Sequence, residues 1–167
     1  MMLKKTFLKF YLFILPFSAC QKNESSVPPR DVQVQTIVDN EALVTYLQTH
    51  FYNYHDFEND PDNHKIEISL DSLTEKNSDK IALWDQVVTK FVDTEDSDQN
   101  IVEHKLYYLI VKKGLGSMPS SVDSTFVSYK GSLLNGDVFD DRDYPIWFDL
   151  VNVVRGFRES LPEFNEG

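Results

Sequence analysis

Cysteine is almost missing from this chain of 167 residues, in which Cys20 is the only one. A lone cysteine has no partner for an intrachain disulfide, so a disulfide-stapled fold is excluded. Basic residues are also in deficit, with 16 Lys and Arg against 27 Asp and Glu and a formal net charge of -11. Nucleic-acid binding needs clustered cations that replace counterions, so nucleic acid is excluded as a partner.

Long apolar runs are missing too, and the run at 10–17 (FYLFILPF) is too short to span a bilayer. Lysines precede it, and the small residues 18–19 lie between it and Cys20. This arrangement resembles a bacterial lipoprotein signal, which is cleaved so that the cysteine becomes the first residue and carries acyl chains. Phe17 stands where that family has leucine, and the alternative is an ordinary secretory signal with an incidental cysteine.

The lipoprotein resemblance implies a protein that is anchored to a bacterial envelope membrane through lipidated Cys20, since two or more acyl chains hold a protein stably. Residues 20–35 are polar and contain a Pro-Pro pair without an apolar period, which predicts a tether. We therefore expect a signal peptide at 1–19, the tether at 20–35, an accessory region at 36–100 and a further domain at 101–167.

The accessory region is predicted to begin with an amphipathic helix from Asp39 onward. Its apolar stripe recurs at helical spacing and consists of Leu43, Tyr46, Leu47, His50, Phe51 and Tyr54. Asp39 or Asn40 is expected to cap the first turn. Such a stripe needs an apolar partner, and a second copy of the chain, which would make a homo-oligomer, is one candidate.

Strands are predicted after a turn-rich break at 53–65. The alternation of apolar and polar residues at 66–70 is typical of a short strand. The stretches 84–92 and 101–111 are rich in β-branched and aromatic residues and flank an acidic loop, which predicts a long antiparallel hairpin. Apolar residues within 81–91 also fit a helical period, so a partly helical first arm is the alternative.

No metal or cofactor site is expected. The acidic stretch 93–98 lacks the central Gly and the closing Glu that a calcium loop requires. The histidines His50, His55 and His64 are spaced by five and nine residues, which does not bring two of them to one helical face. The Gly-x-Gly at 114–116 lacks the third glycine and the following helix of a dinucleotide loop, and it indicates a turn.

The stretch 127–141 (VSYKGSLLNGDVFDD) predicts a β-hairpin. Because side chains alternate along a strand, its first strand places these residues on one face: Val127, Tyr129, Gly131 and Leu133. Asn135-Gly136 is a turn signal, since both residue types adopt positive φ. Phe139 then returns on the partner strand, followed by the carboxylate of Asp140.

Residues 106–167 resemble the FKBP-type peptidyl-prolyl isomerases. They keep the family's order of Gly-x-Gly, Pro and Asp, then V-x-Y-x-G-x-L-x-x-G-x-x-F-D, an apolar strand and a short helix. The matching positions are Gly114, Gly116, Pro119, Asp123, Val127, Tyr129, Gly131, Leu133, Gly136, Phe139 and Asp140, then Phe148, Leu150, Val153, Val154, Gly156, Phe157, Glu159 and Leu161. The resemblance implies an α+β fold, in which an antiparallel FKBP-like half-barrel sheet with a short helix follows the N-terminal accessory helix region.

The resemblance also implies a function: peptidyl-prolyl cis-trans isomerisation that assists the folding of exported proteins, with proline-containing polypeptides as partners and no cofactor. An apolar, dry pocket weakens the imide resonance that otherwise imposes a rotation barrier of ~18–20 kcal/mol. Some similar envelope lipoproteins are associated with gliding motility. The alternative is a catalytically weak FKBP-like binding or chaperone module that is anchored as a lipoprotein.

The site residues follow from the same resemblance. It implies catalytic positions at Tyr129, Phe139, Asp140, Val153, Val154 and Phe157, with Ile146 and Phe148 as walls of the pocket. Asp140 would organise polar contacts beside the pocket, and the Val154 N–H would donate to the substrate carbonyl. Phe157 stands where the family has a tryptophan floor, and Ile146 stands where it has an aromatic wall. Both departures keep the binding module open as an alternative.

The family continues with further strands after the position that matches Gly167, so the resemblance implies either that the domain is truncated within 1–167 or that another chain completes its sheet. The absent strands would cover apolar faces of the hairpin and the helix. Burial contributes ~25 cal/mol per Å² of apolar surface. Whole domains are stable by only about 5–15 kcal/mol. Losing the apolar burial that the absent strands provide would therefore decide whether the chain folds stably.

We therefore predict that residues 1–167 alone are marginally folded or aggregation-prone and weakly active. A family-like C-terminal extension should restore both stability and activity. Denaturant unfolding of the isolated chain measures this property. A cooperative transition with ordinary stability would contradict the prediction.

Overall fold

The structure is a computed structural model that describes residues 31–60 and 66–167. The predicted signal peptide, Cys20, most of the tether and His64 lie outside the described residues. Nine helices and strands are assigned in the described part, in chain order: α1 (Val32–Thr49), β1 (His50–Tyr52), α2 (Tyr54–Asn59), β2 (Leu70–Ser72), β3 (Val88–Glu95), β4 (Ile101–Tyr108), β5 (Ser124–Ser132), β6 (Val138–Asp149) and α3 (Arg155–Ser160). Short 3₁₀ turns lie at Glu75–Asn77, Leu83–Asp85 and Leu161–Glu163.

The strands pair as three antiparallel two-stranded sheets, β1 with β2, β3 with β4, and β5 with β6, and the last two pairs are hairpins. This arrangement confirms a mixed helical and antiparallel fold. The six strands described do not join into one continuous half-barrel sheet. The physical reason lies in the irregular segment 109–123, which pairs with the C-terminal residues instead of bridging the hairpins: the Gly116 N–H donates to the Glu166 carbonyl at 2.7 Å, and the Glu166 N–H donates to the Ser117 carbonyl at 3.1 Å.

The first helix begins and ends earlier than the sequence indicates. Its N-cap is Asp31, whose carboxylate accepts from the backbone N–H groups of Gln33 and Val34 at 2.9 and 3.1 Å. The prediction of a cap at Asp39 or Asn40 is therefore wrong. The helix ends at Thr49 because His50 turns extended and pairs with β2.

The apolar stripe is thus divided among α1, β1 and α2, yet it still builds one core. Leu47, Tyr52, Tyr54 and Leu83 are its buried members, and half-buried aromatics such as Tyr107 pack around them. The Tyr107 hydroxyl also donates to Asn40 Oδ1 at 2.9 Å. The helix therefore finds an apolar partner within its own chain, and association with a second copy stays a prediction.

The predicted hairpin at 84–111 is confirmed as β3 and β4, which pair residue by residue from Val88 with Tyr108 to Glu95 with Ile101. The helical alternative for the first arm holds only for the 3₁₀ turn at Leu83–Asp85. The expected boundary between 100 and 101 lies at the tip of this hairpin.

Between α1 and the β3–β4 hairpin, the structure differs from two sequence predictions. The expected break contains the short helix α2 at Tyr54–Asn59. The strand predicted at 66–70 appears as β2 at Leu70–Ser72, because these residues pair with β1.

The hairpin predicted from 127–141 is confirmed as β5 and β6. Side chains of β5 alternate between exposed and half-buried along the whole strand, as a strand with one covered face requires. At the turn, only Gly136 has a positive φ, of 89°. Its N–H donates to the Leu133 carbonyl at 2.9 Å, so Leu134 and Asn135 form the turn and Gly136 follows it in the left-handed region.

The outer face of this hairpin carries an exposed pair of aromatic rings. Phe126 and Trp147 pair across the strands with ring centroids 5.2 Å apart, and both rings are largely exposed. Phe126 is therefore not a core residue, because its position in the alternation turns it away from α3.

Leu150, the residue after β6, joins the hairpin to α3. It has 0% exposure, and its N–H donates to the Asp123 carbonyl at 3.0 Å. Arg158 of α3 donates from Nε to the Leu150 carbonyl at 3.1 Å and from Nη2 to the Val151 carbonyl at 2.8 Å. These bonds fix the short connection at 150–154 against the helix.

We predict that Leu150→Ala lowers the free energy of unfolding by about 2–5 kcal/mol, because it removes a buried side chain and leaves a cavity. The matched control is Leu115→Ala, since Leu115 is fully exposed and should lose little. Denaturant unfolding of both variants measures the difference. Equal losses would show that Leu150 does not contribute to the core in solution.

Candidate functional site

Three aromatic rings from three elements meet on the inner face of the β5–β6 hairpin. Tyr129 of β5 lies with its ring centroid 5.5 Å from Phe148 of β6 and 5.5 Å from Phe157 of α3, and the last two are 5.8 Å apart. All three contacts are edge-to-face, with interplanar angles of 67°, 87° and 85°. This geometry directs the positive edge of one ring at the negative face of the next. Each residue is half-buried, so an apolar surface stays accessible.

Strand register brings the first two rings together. Thr125 pairs with Phe148 and Val127 pairs with Ile146, so these side chains share one face with Tyr129. A register shift between Val127 and Tyr129 then places Arg142 opposite Tyr129. The third ring arrives from outside the sheet, because α3 begins directly after Val154 and its first turn carries Phe157 over the hairpin.

A carboxylate lies beside the rings. The Tyr129 hydroxyl donates to Asp140 Oδ2 at 2.5 Å, and Arg142 Nη1 is 3.5 Å from Asp140 Oδ1. The hydrogen bond to Asp140 raises the pKa of Tyr129, with burial as a second cause. The hydroxyl therefore stays protonated to a higher pH than that of an ordinary tyrosine. The hydroxyl is therefore held by the carboxylate and is not itself a base at neutral pH.

Phe139, expected as a catalytic position, and Ile146, expected as a wall of the pocket, lie at the rim of this surface. Phe139 is 68% exposed, and its ring lies over Gly131, where an added Cβ would stand 2.7 Å from it. A side chain at Gly131 would therefore push the exposed Phe139 ring aside. Ile146 shares the face of Tyr129 and is 37% exposed.

The backbone donor implied by the resemblance lies at the other end of the surface. Val154 caps α3 with its carbonyl, which accepts from Phe157 N–H at 3.0 Å and from Arg158 N–H at 3.3 Å. Its own N–H donates no hydrogen bond to the described residues. Its side chain is 72% exposed, and the neighbouring Val153 is half-buried. The N–H is therefore available to an acceptor on a bound molecule.

Arg142 is a site neighbour that our sequence reasoning did not single out. The signal was present, because residues two apart on a strand share a face and Arg142 follows Asp140 by two. Opposite charges at that spacing indicate an ion pair. Cys20, the expected lipidation site, lies outside the described residues.

Residues 31–60 and 66–167 offer no metal-ligand group and no membrane-spanning helix. No three His, Cys, Asp or Glu side chains of these residues are grouped so that they could hold a metal ion. None of the helices in the same residues has the length and apolar character needed to cross a membrane.

The chain matches known peptidyl-prolyl isomerases over part of its length. Peptidyl-prolyl cis-trans isomerase Mip of Chlamydia muridarum is 32% identical over 84 residues, which cover 47% of this chain and 35% of that protein. Mip of Coxiella burnetii is 37% identical over 65 residues, covering 37% of this chain and 28% of the relative. The FKBP-type peptidyl-prolyl cis-trans isomerase FkpA of Escherichia coli is 37% identical over 65 residues, covering 37% and 24%.

The resemblance to the FKBP-type peptidyl-prolyl isomerases is confirmed. The matched residues amount to only about a quarter to a third of each of these relatives, from 24% to 35% of its length. No protein-family model matches the chain, and no solved structure matches it. We call the surface formed by Tyr129, Phe148 and Phe157, together with Asp140, the FKBP-like site.

We predict that Asp140→Asn lowers the pKa of Tyr129 toward its ordinary value, because the carboxylate that accepts the hydroxyl proton is lost. In the unchanged chain the pKa of Tyr129 is raised. The stabilisation from its hydrogen bond to Asp140 is therefore fully present at pH values below the ordinary tyrosine pKa, and it is lost as the pH rises through the raised pKa. Titration of the Tyr129 ring carbon by NMR measures this shift. The control is Asp143→Asn, on the same strand, which should leave the titration unchanged.

Proposed function

We propose that the chain catalyses peptidyl-prolyl cis-trans isomerisation at the FKBP-like site. The observation that carries this proposal is the mutual contact of Tyr129, Phe148 and Phe157 beside the Tyr129–Asp140 hydrogen bond. The names of the partial matches support it, since they are peptidyl-prolyl cis-trans isomerases. The finer fold assignment, an FKBP-like half-barrel sheet with a short helix within 101–167, is part of the same proposal.

The chemistry needs no nucleophile. Rotation about an X-Pro bond is slow because the imide has partial double-bond character, with a barrier of ~18–20 kcal/mol. Water favours the charge-separated resonance form that makes the bond stiff. A proline ring held against the three aromatic rings leaves water, so this resonance weakens and the twisted imide is bound better than the planar one.

The polar groups would orient the substrate. The Val154 N–H is available and would donate to a carbonyl of the bound peptide, which fixes the chain on one side of the proline. Asp140 holds the Tyr129 hydroxyl at 2.5 Å and so keeps the Tyr129 ring in its edge-to-face position. Phe139 and Ile146, which lie at the rim, would contact the residues that flank the proline.

We further propose an envelope location and exported polypeptides as substrates. The support comes from the sequence: the basic and apolar N-terminal segment ends at Cys20, which is placed for cleavage and lipidation. Acyl chains on Cys20 would anchor the protein in a membrane, with residues 20–35 as the tether. A role in gliding motility stays an implication of the resemblance.

A catalytically weak binding module is the second candidate, and particular residues favour it. Phe157 replaces the floor tryptophan implied by the resemblance, and Phe139 is largely exposed. A loose site would still hold proline-containing segments but would twist the imide less effectively. Binding of a proline peptide without any rate acceleration would identify this function.

The experiment is an isomerisation assay on the full chain in detergent solution with a proline-containing peptide. We predict acceleration over the uncatalysed rate, and a loss of about tenfold in kcat/KM for Phe157→Ala because one of the three rings, and with it two of the three ring contacts, disappears. The matched control is Phe126→Ala, since Phe126 lies on the opposite face. A wild-type rate equal to the uncatalysed one would refute catalysis by this chain.

A further inference from the structure

The helix that carries Phe157 is held by a lysine from a distant hairpin. Lys90 of β3 donates from Nζ to the backbone carbonyl of Glu159 at 2.9 Å and to Glu163 Oε1 at 2.9 Å. The same Nζ is 3.6 Å from Glu159 Oε2. One ammonium group thus contacts the end of α3 and the 3₁₀ turn that follows it.

These contacts are sheltered from water. The side chains of Lys90, Glu159 and Glu163 are only 31%, 24% and 28% exposed. The hydrogen bond to Glu163 raises the pKa of Lys90, so the ammonium stays charged at neutral pH. Ion pairs of this kind are less screened than exposed ones, and hydrogen bonds between charged groups are the stronger ones.

A second bond joins the same hairpin to the start of the helix. Arg155 donates from Nη2 to the Asp93 carbonyl of β3 at 2.7 Å, and its Nε is 3.5 Å from Glu159 Oε1. The β3–β4 hairpin therefore contacts both ends of α3. A cation near the last carbonyls of a helix also interacts favourably with the helix dipole.

A helix this short depends on such contacts for its orientation. With only six residues, α3 is far below the length at which a helix is stable alone. Glu159, whose carbonyl accepts the hydrogen bond from Lys90, comes two residues after Phe157. A shift of the Glu159 carbonyl would therefore move Phe157 and the cap at Val154 together.

We propose that Lys90 is a positioning residue for the FKBP-like site. It fixes α3 against the β3–β4 hairpin, so that the Phe157 ring stands edge-to-face with Tyr129 and the Val154 N–H keeps its direction. The inference rests on the proposed isomerase function for its consequence in catalysis. It also brings β3, which belongs to the expected accessory region, into the support of the site.

The test compares three variants of the full chain. Lys90→Met keeps the apolar stem but removes the charge, Lys90→Arg restores a cation, and Lys105→Met removes an exposed lysine from the same hairpin. We expect Lys90→Met to lower kcat/KM by about tenfold, since small misplacements at a site are costly. Lys90→Arg should recover most of this loss, and Lys105→Met should stay within about twofold.

A second measurement reads the position of the helix without using activity. NMR contacts between the rings of Phe157 and Tyr129 should weaken in Lys90→Met and persist in Lys90→Arg. The double variant Lys90→Met/Glu163→Gln should lose no more than Lys90→Met, because the two groups act in one interaction. Unfolding curves taken alongside ensure that each variant is compared while folded.

The outcomes separate the two proposals. If the unchanged chain does not accelerate isomerisation, the proposed function fails, and the ring contacts still decide the role of Lys90. If Lys90→Met loses stability but keeps both the ring contacts and kcat/KM, Lys90 is only a structural residue and the inference is overturned. Loss of contacts in Lys90→Met, restored by Lys90→Arg, would support it.

Discussion

A two-stranded hairpin is marginally stable in water unless another element covers one of its faces. Every strand in the described residues pairs with only one other strand, so the structure depends on how the faces of these two-stranded sheets are covered. For β5–β6 the cover is α3, joined through the buried side chain of Leu150 and the bonds of Arg158. For β3–β4 it is the same helix, through Lys90 and Arg155, together with α1, which Tyr107 contacts. A helix of six residues therefore links the two hairpins.

The covering contact is also the candidate site. Phe157 covers the inner face of β5–β6 by packing against Tyr129 and Phe148, and these are the rings on which a proline would dock. Under the proposed function, stability and catalysis use the same surface, so changes at Phe157 are expected to affect both. Asp140 is different, because it lies at the exposed edge and acts on the Tyr129 hydroxyl. Its replacement separates the polar contribution to the site from the packing.

Local sequence signals predicted the elements that local physics controls. Alternation and the Asn135-Gly136 pair gave the β5–β6 hairpin, although only Gly136 takes the left-handed conformation. The helical stripe gave α1 but not its end, because pairing of β1 with β2 overrides helical spacing at His50. Of the site, the sequence indicated Tyr129, Asp140, Phe148 and Phe157 through the family resemblance. The same alternation along the strand could have identified Arg142 as a neighbour of Asp140. No local sequence pattern indicated the role of Lys90.

By itself the sequence indicated an acidic chain with one cysteine, antiparallel hairpins and a segment that resembles the FKBP-type peptidyl-prolyl isomerases and contains a short helix. These features depend on residue type and spacing over a few positions. Only the tertiary structure decided that the three rings meet, that Phe139 lies over Gly131 at the rim, and that Lys90 reaches Glu163 across 73 residues. Contacts at such separations depend on how whole elements pack, and packing is set by the sum of many weak interactions that no short stretch of sequence contains.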